Sequence, residues 1–176
     1  MEMEERGLIH VYCGDGKGKT SAATGLMVRA AGRGKRILFV RFLKNEDSGE
    51  LVILDQIPQI RRLKIPKTFG FFWTLNEEEK EELKRICYGI WEQIEQEARR
   101  YDILVMDELA SAFRYGLVPQ DKVLRFLKSK PSSLEVVMTG REPDERILQY
   151  ADYISEIQSV RHPFEKGIPA REGIEY

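Results

Sequence analysis

The chain has 176 residues, of which 42% are hydrophobic and 32% are charged, and its formal net charge is -1. This length suits a single domain, predicted over residues 1–176, whose core needs no disulfide or metal to fold. A nearly neutral chain has no overall field to attract nucleic acid, and no segment has the roughly 18 apolar residues of a membrane helix. The acidic N-terminus lacks the apolar region of a signal peptide. We therefore expect a cytoplasmic protein with neither nucleic acid nor a membrane as its partner.

Apolar runs alternate with helical patterns along the chain, which predicts an α/β fold with a mostly parallel central sheet. Strands are predicted at residues 8–13, 36–43, 61–65, 103–106, 134–138 and 153–157. Helices are predicted at residues 19–33, 49–57, 76–100, 119–128 and 143–150. The longest helix starts at Asn76, which has capping-box spacing to Glu79, and the Gly and Pro residues of 161–176 indicate a C-terminal tail. Cys13 and Cys87 lack the spacing of metal ligands and are expected to be buried and reduced.

A glycine-rich loop, Gly-Asp-Gly-Lys-Gly-Lys-Thr at residues 14–20, separates the first predicted strand from the first predicted helix. A phosphate-binding P-loop requires this position, because its glycines let successive N–H groups turn toward phosphate oxygens at a helix N-terminus. Lys19 would reach the outer phosphates of a nucleotide, and the hydroxyl of Thr20 would bind Mg²⁺. The loop is one residue shorter than the general motif. A glycine-rich turn that only caps a helix is the alternative interpretation.

Polar residues also follow two of the later apolar strands. Asp107 and Glu108 come directly after residues 103–106, as in a Walker B strand, and one carboxylate would complete the Mg²⁺ shell directly or through water. Arg141 would contact nucleotide phosphates or pair with a carboxylate. Solvated strand ends are the alternative for both. The candidate ATP-binding residues are Gly14, Asp15, Gly16, Lys17, Gly18, Lys19, Thr20, Ser21 and Arg141. The candidate metal ligands are Thr20, Asp107 and Glu108.

Four aromatic residues lie within five positions of the predicted loop at residues 66–75: Phe69, Phe71, Phe72 and Trp73. Their spacing matches neither a strand nor a helix face. They would either cover the core or form a wall for a flat, apolar ligand, since such ligands bind in pockets lined by aromatic side chains. The residue pattern leaves both interpretations open.

These motifs, taken in order, resemble the P-loop type of ATP:cob(I)alamin adenosyltransferase, also called corrinoid adenosyltransferase. The shortened loop GDGKGKT is similar to this family's variant G-x-G-K-G-K-T. The resemblance covers nearly the whole chain. It continues with AAGRGKRILFVRFLK, GFFW at residues 70–73, LVMDE at 104–108, TGR at 139–141, ADYISE at 151–156 and RHPFEKGIPAREGIEY at 161–176.

The resemblance implies a RecA-like P-loop fold with helices on both faces of the sheet, assembled as a homodimer. It implies transfer of the 5′-deoxyadenosyl group of ATP to the cobalt of cob(I)alamin or another corrinoid, with release of triphosphate. ATP would bind in the reverse sense, so that its ribose 5′ carbon faces cobalt. Lys17, Lys19 and Thr20 with Mg²⁺ would stabilise the departing triphosphate.

By the same resemblance, Phe71 and Trp73 match the aromatic pair that lies against the corrin and displaces its lower axial ligand. Lys19, Phe71 and Trp73 are therefore the candidate catalytic residues. A four-coordinate cob(II) species is easier to reduce than a five-coordinate one. No flavin or iron–sulfur motif is visible, so the electron would come from a flavoprotein such as a flavodoxin.

The sequence departs from the family pattern in a few places. Few residues precede the P-loop, whereas some relatives carry a longer arm that covers the corrinoid. Phe72 stands where relatives often have a small polar residue, and Arg41 and Arg171 stand where they often have glutamine. Two other functions stay open: a small P-loop kinase or ATPase that releases ADP, and a non-catalytic corrinoid carrier. The intact P-loop and acidic residues count against the carrier.

Overall fold

A computed structural model describes residues 6–44 and 46–176 and contains a six-stranded sheet. The strands are β1 (Ile9–Cys13), β2 (Ile37–Arg41), β3 (Ile60–Leu63), β4 (Ile103–Asp107), β5 (Glu135–Thr139) and β6 (Tyr153–Glu156). Every pair of neighbours is parallel, and the spatial order is β3-β2-β4-β5-β1-β6. The predicted parallel α/β sheet is confirmed. Because all strands run the same way, their carboxyl ends meet at one edge of the sheet.

Helices cover both faces of this sheet, as predicted. They are α1 (Lys19–Ala31), α2 (Gly49–Leu54), α3 (Glu77–Glu97), α4 (Leu109–Arg114), α5 (Gln120–Ser129) and α6 (Glu145–Leu148). Alternate residues of β2 point to opposite faces. Ile37 and Phe39 pack in one buried cluster with α1 and α2, whereas Leu38 and Val40 pack in the other with α3 to α6. None of the helices in the described part of the chain is long and apolar enough to cross a membrane.

The longest helix begins where the capping-box spacing predicted. The Asn76 side chain accepts a hydrogen bond from the Glu79 N–H, and the Glu79 carboxylate accepts one from the Asn76 N–H, each at 2.9 Å. The buried face of α3 consists of Leu83, Cys87, Ile90, Trp91 and Ile94. Both cysteines are buried and free, as expected. Burial raises the pKa of the Cys87 thiol to about 12.

The structure differs from the sequence-based elements most clearly in three places, and other elements differ only in their bounds, such as α2, which ends at Leu54 and not at residue 57. Helix α4 was not predicted. It starts directly after β4 because Glu108 takes a left-handed conformation (φ 59°), which turns the chain at once. Strand β2 ends at Arg41 rather than at residue 43, since Leu43 is also left-handed (φ 57°). The aromatic segment, predicted as a plain loop, contains the 3-10 turn Phe72–Thr74.

Candidate functional site

The loop after β1 lies directly against the chain after β6. The N–H of Gly16 donates to the Ile157 carbonyl at 2.8 Å. A Cβ on Gly14 would stand 2.3 Å from the Ile157 oxygen, and one on Gly16 would stand 2.8 Å from the backbone of Gln158. Gly14 and Gly18 also have φ of 94° and 123°, which disfavour any other residue. The glycines therefore allow a close backbone approach that places the loop at the start of α1.

Lys19 is buried inside the curve of this loop and is only 8% exposed. Its Nζ donates to the carbonyls of Gly14 at 2.6 Å and Gly16 at 2.7 Å. Burial lowers the pKa of Lys19, with the charge of Arg141 acting in the same direction and that of Glu108 opposing it. The ammonium is thus held by neutral carbonyls, and a phosphate at this loop would be its natural counter-ion.

Asp107, at the end of β4, is fully buried and is contacted by two hydroxyl groups and two basic side chains. Its Oδ1 accepts hydrogen bonds from Thr139 at 2.6 Å and from Thr20 at 2.9 Å. Its Oδ2 lies 3.5 Å from the Nε of Arg41 and 3.1 Å from the Nζ of Lys44. The structure therefore brings two predicted metal ligands, Thr20 and Asp107, into direct contact across two elements.

Glu108 turns its side chain to the cleft beside Asp107. Its N–H donates to the Thr139 hydroxyl at 2.9 Å, and its Oε2 accepts from Ser111 at 2.9 Å. Its Oε1 lies 3.5 Å from the Nζ of Lys44. Within the described ranges, no three His, Cys, Asp or Glu side chains are grouped to hold a metal. An oxygen-only set of one hydroxyl and two carboxylates still fits Mg²⁺, because that ion is usually held by few protein ligands together with phosphates and water.

A cleft of about 900 Å³ lies along the P-loop. It is large enough for a nucleotide. The predicted ATP-binding residues that line it are Asp15, Gly16, Lys17, Gly18, Lys19, Thr20, Ser21 and Arg141. Gly14 takes part through its carbonyl on Lys19, and its N–H donates to the backbone oxygen of Arg141 at 2.9 Å. The side chain of Asp15 also contacts the chain after β6, since its Oδ1 accepts a hydrogen bond from the N–H of Ser159 at 2.9 Å.

The C-terminal tail, residues 161–176, reaches the same cleft. The carboxylate of Glu175 lies 3.0 Å from the Nζ of Lys17, and residues 173–176 line the cleft. Hydrogen bonds from Arg171 lower the pKa of Glu175 to about 2. No role was predicted for Glu175, because its contact with Lys17 joins residues 158 positions apart and no local pattern indicates it. Lys44 was missed too, although its position just after β2 places it at the carboxyl edge of the sheet.

The aromatic cluster divides into two pairs. Phe71 and Trp73 are 69% and 72% exposed, and their rings stack in parallel at 4.9 Å with an angle of 9°. Phe69 and Phe72 instead pack against the core, where Phe72 stacks on Tyr115 at 4.2 Å. The interpretation that these rings cover the core is therefore confirmed for Phe69 and Phe72, whereas a ligand wall stays a prediction for Phe71 and Trp73. Two side chains anchor the segment, and two present a flat apolar surface to solvent.

Comparison with known proteins places this geometry in a family. The family model described as ATP:corrinoid adenosyltransferase BtuR/CobO/CobP matches residues 5–176. The chain is 36% identical to the corrinoid adenosyltransferase CobA of Salmonella typhimurium over 98% of this chain and 87% of that protein. It is 35% identical to the corrinoid adenosyltransferase of Escherichia coli K12, with the same coverage. For the Pseudomonas aeruginosa corrinoid adenosyltransferase, identity is 32% over 98% and 85% of the two chains.

Among solved structures, the chain resembles EssC (ATPases 2 and 3) from Geobacillus thermodenitrificans. The TM-score is 0.50 and the identity is 17% over 98% of this chain. The chain spans 36% of the EssC chain, so this likeness shows the fold alone. Together, the parallel sheet with its P-loop confirms the predicted fold class, and the sequence relatives give the function of the family. The chain belongs to the ATP:corrinoid adenosyltransferase family.

Proposed function

We propose that this chain transfers the 5′-deoxyadenosyl group of ATP to the cobalt of cob(I)alamin or a related corrinoid and releases triphosphate. One observation carries the proposal: two features follow strands of the same parallel sheet. The first is a P-loop that contains a buried lysine, and the second is a pair of stacked aromatic rings that faces outward. Since the carboxyl ends of the strands share one edge, a nucleotide and a flat ligand would be held on the same side of the molecule. Membership of the family supports the reaction.

The phosphate end of the site would stabilise the leaving group. The buried Nζ of Lys19 would exchange its carbonyl partners for phosphate oxygens, which offer a full opposite charge. Lys17, at the rim of the cleft, would add a second positive charge after leaving Glu175. Cob(I)alamin is itself a strong nucleophile, so the protein needs no nucleophilic side chain. Its contributions are alignment of the two substrates and charge for the departing triphosphate.

Thr20, Asp107 and Glu108 would hold Mg²⁺ with the phosphates. When bound, that ion would neutralise negative charge that develops on the triphosphate. The positions of the three side chains support this role, because Thr20 starts α1 beside the P-loop while its hydroxyl already contacts Asp107. The hydroxyl of Thr139 donates to the same Asp107 oxygen, Oδ1, which fixes the orientation of the carboxylate and keeps the set pre-organised.

Phe71 and Trp73 would lie against one face of the corrin ring and exclude its lower axial ligand. Their high exposure supports this role, since two large rings stacked in solvent leave an apolar surface uncovered. Phe72 supports them from inside through its stacking on Tyr115. A flavoprotein reductant such as a flavodoxin, a homodimer and a cytoplasmic location stay predictions from the sequence.

An anaerobic assay tests the proposal. The protein would be mixed with chemically reduced cob(I)alamin, Mg²⁺ and ATP, and the absorbance spectrum and the phosphate product would be followed. Adenosylcobalamin together with triphosphate is the expected result. An unchanged corrinoid spectrum with appearance of ADP and phosphate would instead indicate a P-loop ATPase or kinase. The same mixture without protein is the control for spontaneous reaction.

A further inference from the structure

Lys44 contacts all three predicted Mg²⁺ ligands, Thr20, Asp107 and Glu108, which together form the acidic site. Its Nζ hydrogen-bonds the Thr20 hydroxyl and lies 3.1 Å from Asp107 Oδ2 and 3.5 Å from Glu108 Oε1. The ammonium group is therefore surrounded by the oxygen atoms proposed to surround a metal ion. A side-chain cation stands in the place of the cofactor.

The backbone holds Lys44 in this place. The N–H of Phe42 donates to the carbonyl of Asp107 at 2.9 Å, which ties the end of β2 to the end of β4. Leu43 then takes a left-handed conformation, and Lys44 reaches back to the acidic site. Within the described residues, only Leu43 and Glu108 have positive φ without being glycine, and both adjoin this contact. Strained backbone conformations of this kind persist where surrounding structure fixes a functional geometry.

Basic side chains already neutralise part of the charge of the acidic site. Lys44 lies beside both Asp107 and Glu108, and the Nε of Arg41 lies 3.5 Å from Asp107 Oδ2 while its Nη1 lies 3.2 Å from Glu50. A divalent ion that arrives alone would have to displace the ammonium group of Lys44 from both carboxylates and would bring no new anion for it to pair with. A nucleoside triphosphate brings its own negative charge. Lys44 can then pair with phosphate oxygens, and the metal ion can bind the carboxylates.

We propose that Lys44 is a built-in cation that closes the acidic site to free divalent ions and vacates it when the triphosphate arrives. The proposal rests on the metal ligands of the proposed function. Lys44 would then pair with phosphate, close to the leaving group, so the same side chain would serve the empty and the loaded enzyme. Magnesium would enter only with the nucleotide.

Binding of Mn²⁺ alone to the nucleotide-free protein tests the proposal, with free Mn²⁺ measured by its electron paramagnetic resonance signal. Removing one positive charge at this distance is expected to lower the Kd for Mn²⁺ by about tenfold or more in Lys44→Met. Lys44→Arg retains the charge and is expected to stay close to the unmodified protein. Lys122→Met is the matched control, since it removes the same charge from an outer helix where Lys122 faces Glu95.

A second measurement keeps the test independent of activity and of folding. MnCl₂ without nucleotide is expected to raise the Tm of Lys44→Met but not that of the unmodified protein or Lys122→Met. Adding Asp107→Asn to Lys44→Met is expected to remove the gain in Mn²⁺ affinity, which would locate the ion at the acidic site.

Equal Mn²⁺ affinity of Lys44→Met and the unmodified protein would overturn the role of Lys44. The metal ligands themselves are tested separately by Asp107→Asn, which should weaken binding of Mn²⁺ in the presence of ATP. If Asp107→Asn left that binding unchanged, the metal site of the proposed function would be wrong, and the inference about Lys44 would fall with it.

Discussion

At the scale of single residues, Lys19 is the side chain on which the proposed phosphate site depends most directly. Lys19 is 8% exposed, and its ammonium group is held by two carbonyl groups. This arrangement costs folding free energy, because burial disfavours the charged form. That cost is consistent with a group prepared for an anionic ligand. The carbonyl oxygens of Gly14 and Gly16 hold Nζ inside the loop, so binding of a phosphate there would require little reorganisation.

Lys19→Ala is expected to reduce turnover by about a hundredfold or more, because it removes a preorganised charge from the leaving triphosphate. The loss should be the same with pre-reduced cob(I)alamin as with cob(II)alamin and a reductant, since the side chain acts on the phosphates. Steady-state kcat in the anaerobic assay measures it. The Tm of the variant serves as the control for folding. Retained turnover in a folded variant would refute the role of the P-loop.

Gly140, between Thr139 and Arg141, is a residue whose substitution should affect stability. Its φ is 151°, and a Cβ would lie 2.4 Å from the Cβ of Ala110. Gly140→Ala is expected to lower the free energy of unfolding by about 2–4 kcal/mol, because strain and overpacking add. Gly34→Ala is the matched control: its φ is 76° but nothing lies within 4 Å of a Cβ. Its cost should be about 1 kcal/mol from backbone strain alone. Urea denaturation compares the two, and similar losses would contradict the steric argument.

At the scale of elements, local patterns predicted more than long-range contacts did. The capping box of Asn76 and the strand–loop–helix context of the P-loop are short-range signals, so both were visible in the sequence. The inward turn of Phe72 depends on Tyr115, which lies far along the chain. The contact of Lys44 with Asp107 depends on the register of β2 against β4, where Arg41 pairs with Asp107. No local pattern encodes that register.

The aromatic segment gives a prediction at this scale. Phe71→Ala and Trp73→Ala are each expected to slow the reaction that starts from cob(II)alamin by about tenfold more than the one given cob(I)alamin, since the rings would act before reduction of cobalt. Loss of one ring-stacking contact costs roughly 0.5–1.5 kcal/mol, and about 1.4 kcal/mol corresponds to a tenfold change in rate. Paired rate measurements from the two starting states check this. Equal losses from both states would mean that the rings only shape the pocket.

Phe72→Ala is the control for this pair, because Phe72 lies in the same turn but packs inward. It is expected to lower Tm through lost contact with Tyr115 and the core. Phe71→Ala and Trp73→Ala should leave Tm nearly unchanged, since their rings are exposed. A larger loss of Tm in Phe71→Ala than in Phe72→Ala would contradict the division of the cluster into two pairs.

At the scale of the whole molecule, ion pairs join parts of the chain that the sheet alone does not connect. Lys17 and Glu175 connect the P-loop to the C-terminal tail. Arg62 of β3 joins two segments near α2: its side chain is 6% exposed and contacts both Asp55 and Glu46. Two hydrogen bonds, from Nε at 2.8 Å and from Nη2 at 2.6 Å, make the Asp55 contact bidentate. The Asp55–Arg62 pair is a better candidate than Lys17–Glu175 for a measurable effect on stability, because the side chain of Arg62 is nearly buried.

The Asp55–Arg62 pair should make stability depend on pH in a defined direction. The hydrogen bonds from Arg62 lower the pKa of Asp55 to about 2, below the value of about 3.9 expected in the unfolded chain. The unfolded state therefore binds the proton first, so the pair's contribution is complete above about pH 4 and is lost as the pH falls toward 2. Asp55→Asn is expected to lower the free energy of unfolding by about 1 kcal/mol near neutral pH, a value limited by solvent screening of the partly exposed carboxylate.

Urea denaturation at about pH 7, 5 and 3 measures this effect, and the difference between Asp55→Asn and the unmodified protein should shrink at the lowest pH because Asp55 is then partly protonated in the unfolded state. Glu97→Gln provides the comparison, since its partner Arg61 comes from the same strand but is 54% exposed. An exposed pair of that kind contributes under about 0.5 kcal/mol, so little change is expected at any pH. A difference for Asp55→Asn that stays constant down to about pH 3 would show that the substitution acts through packing and not through the charge on the carboxylate.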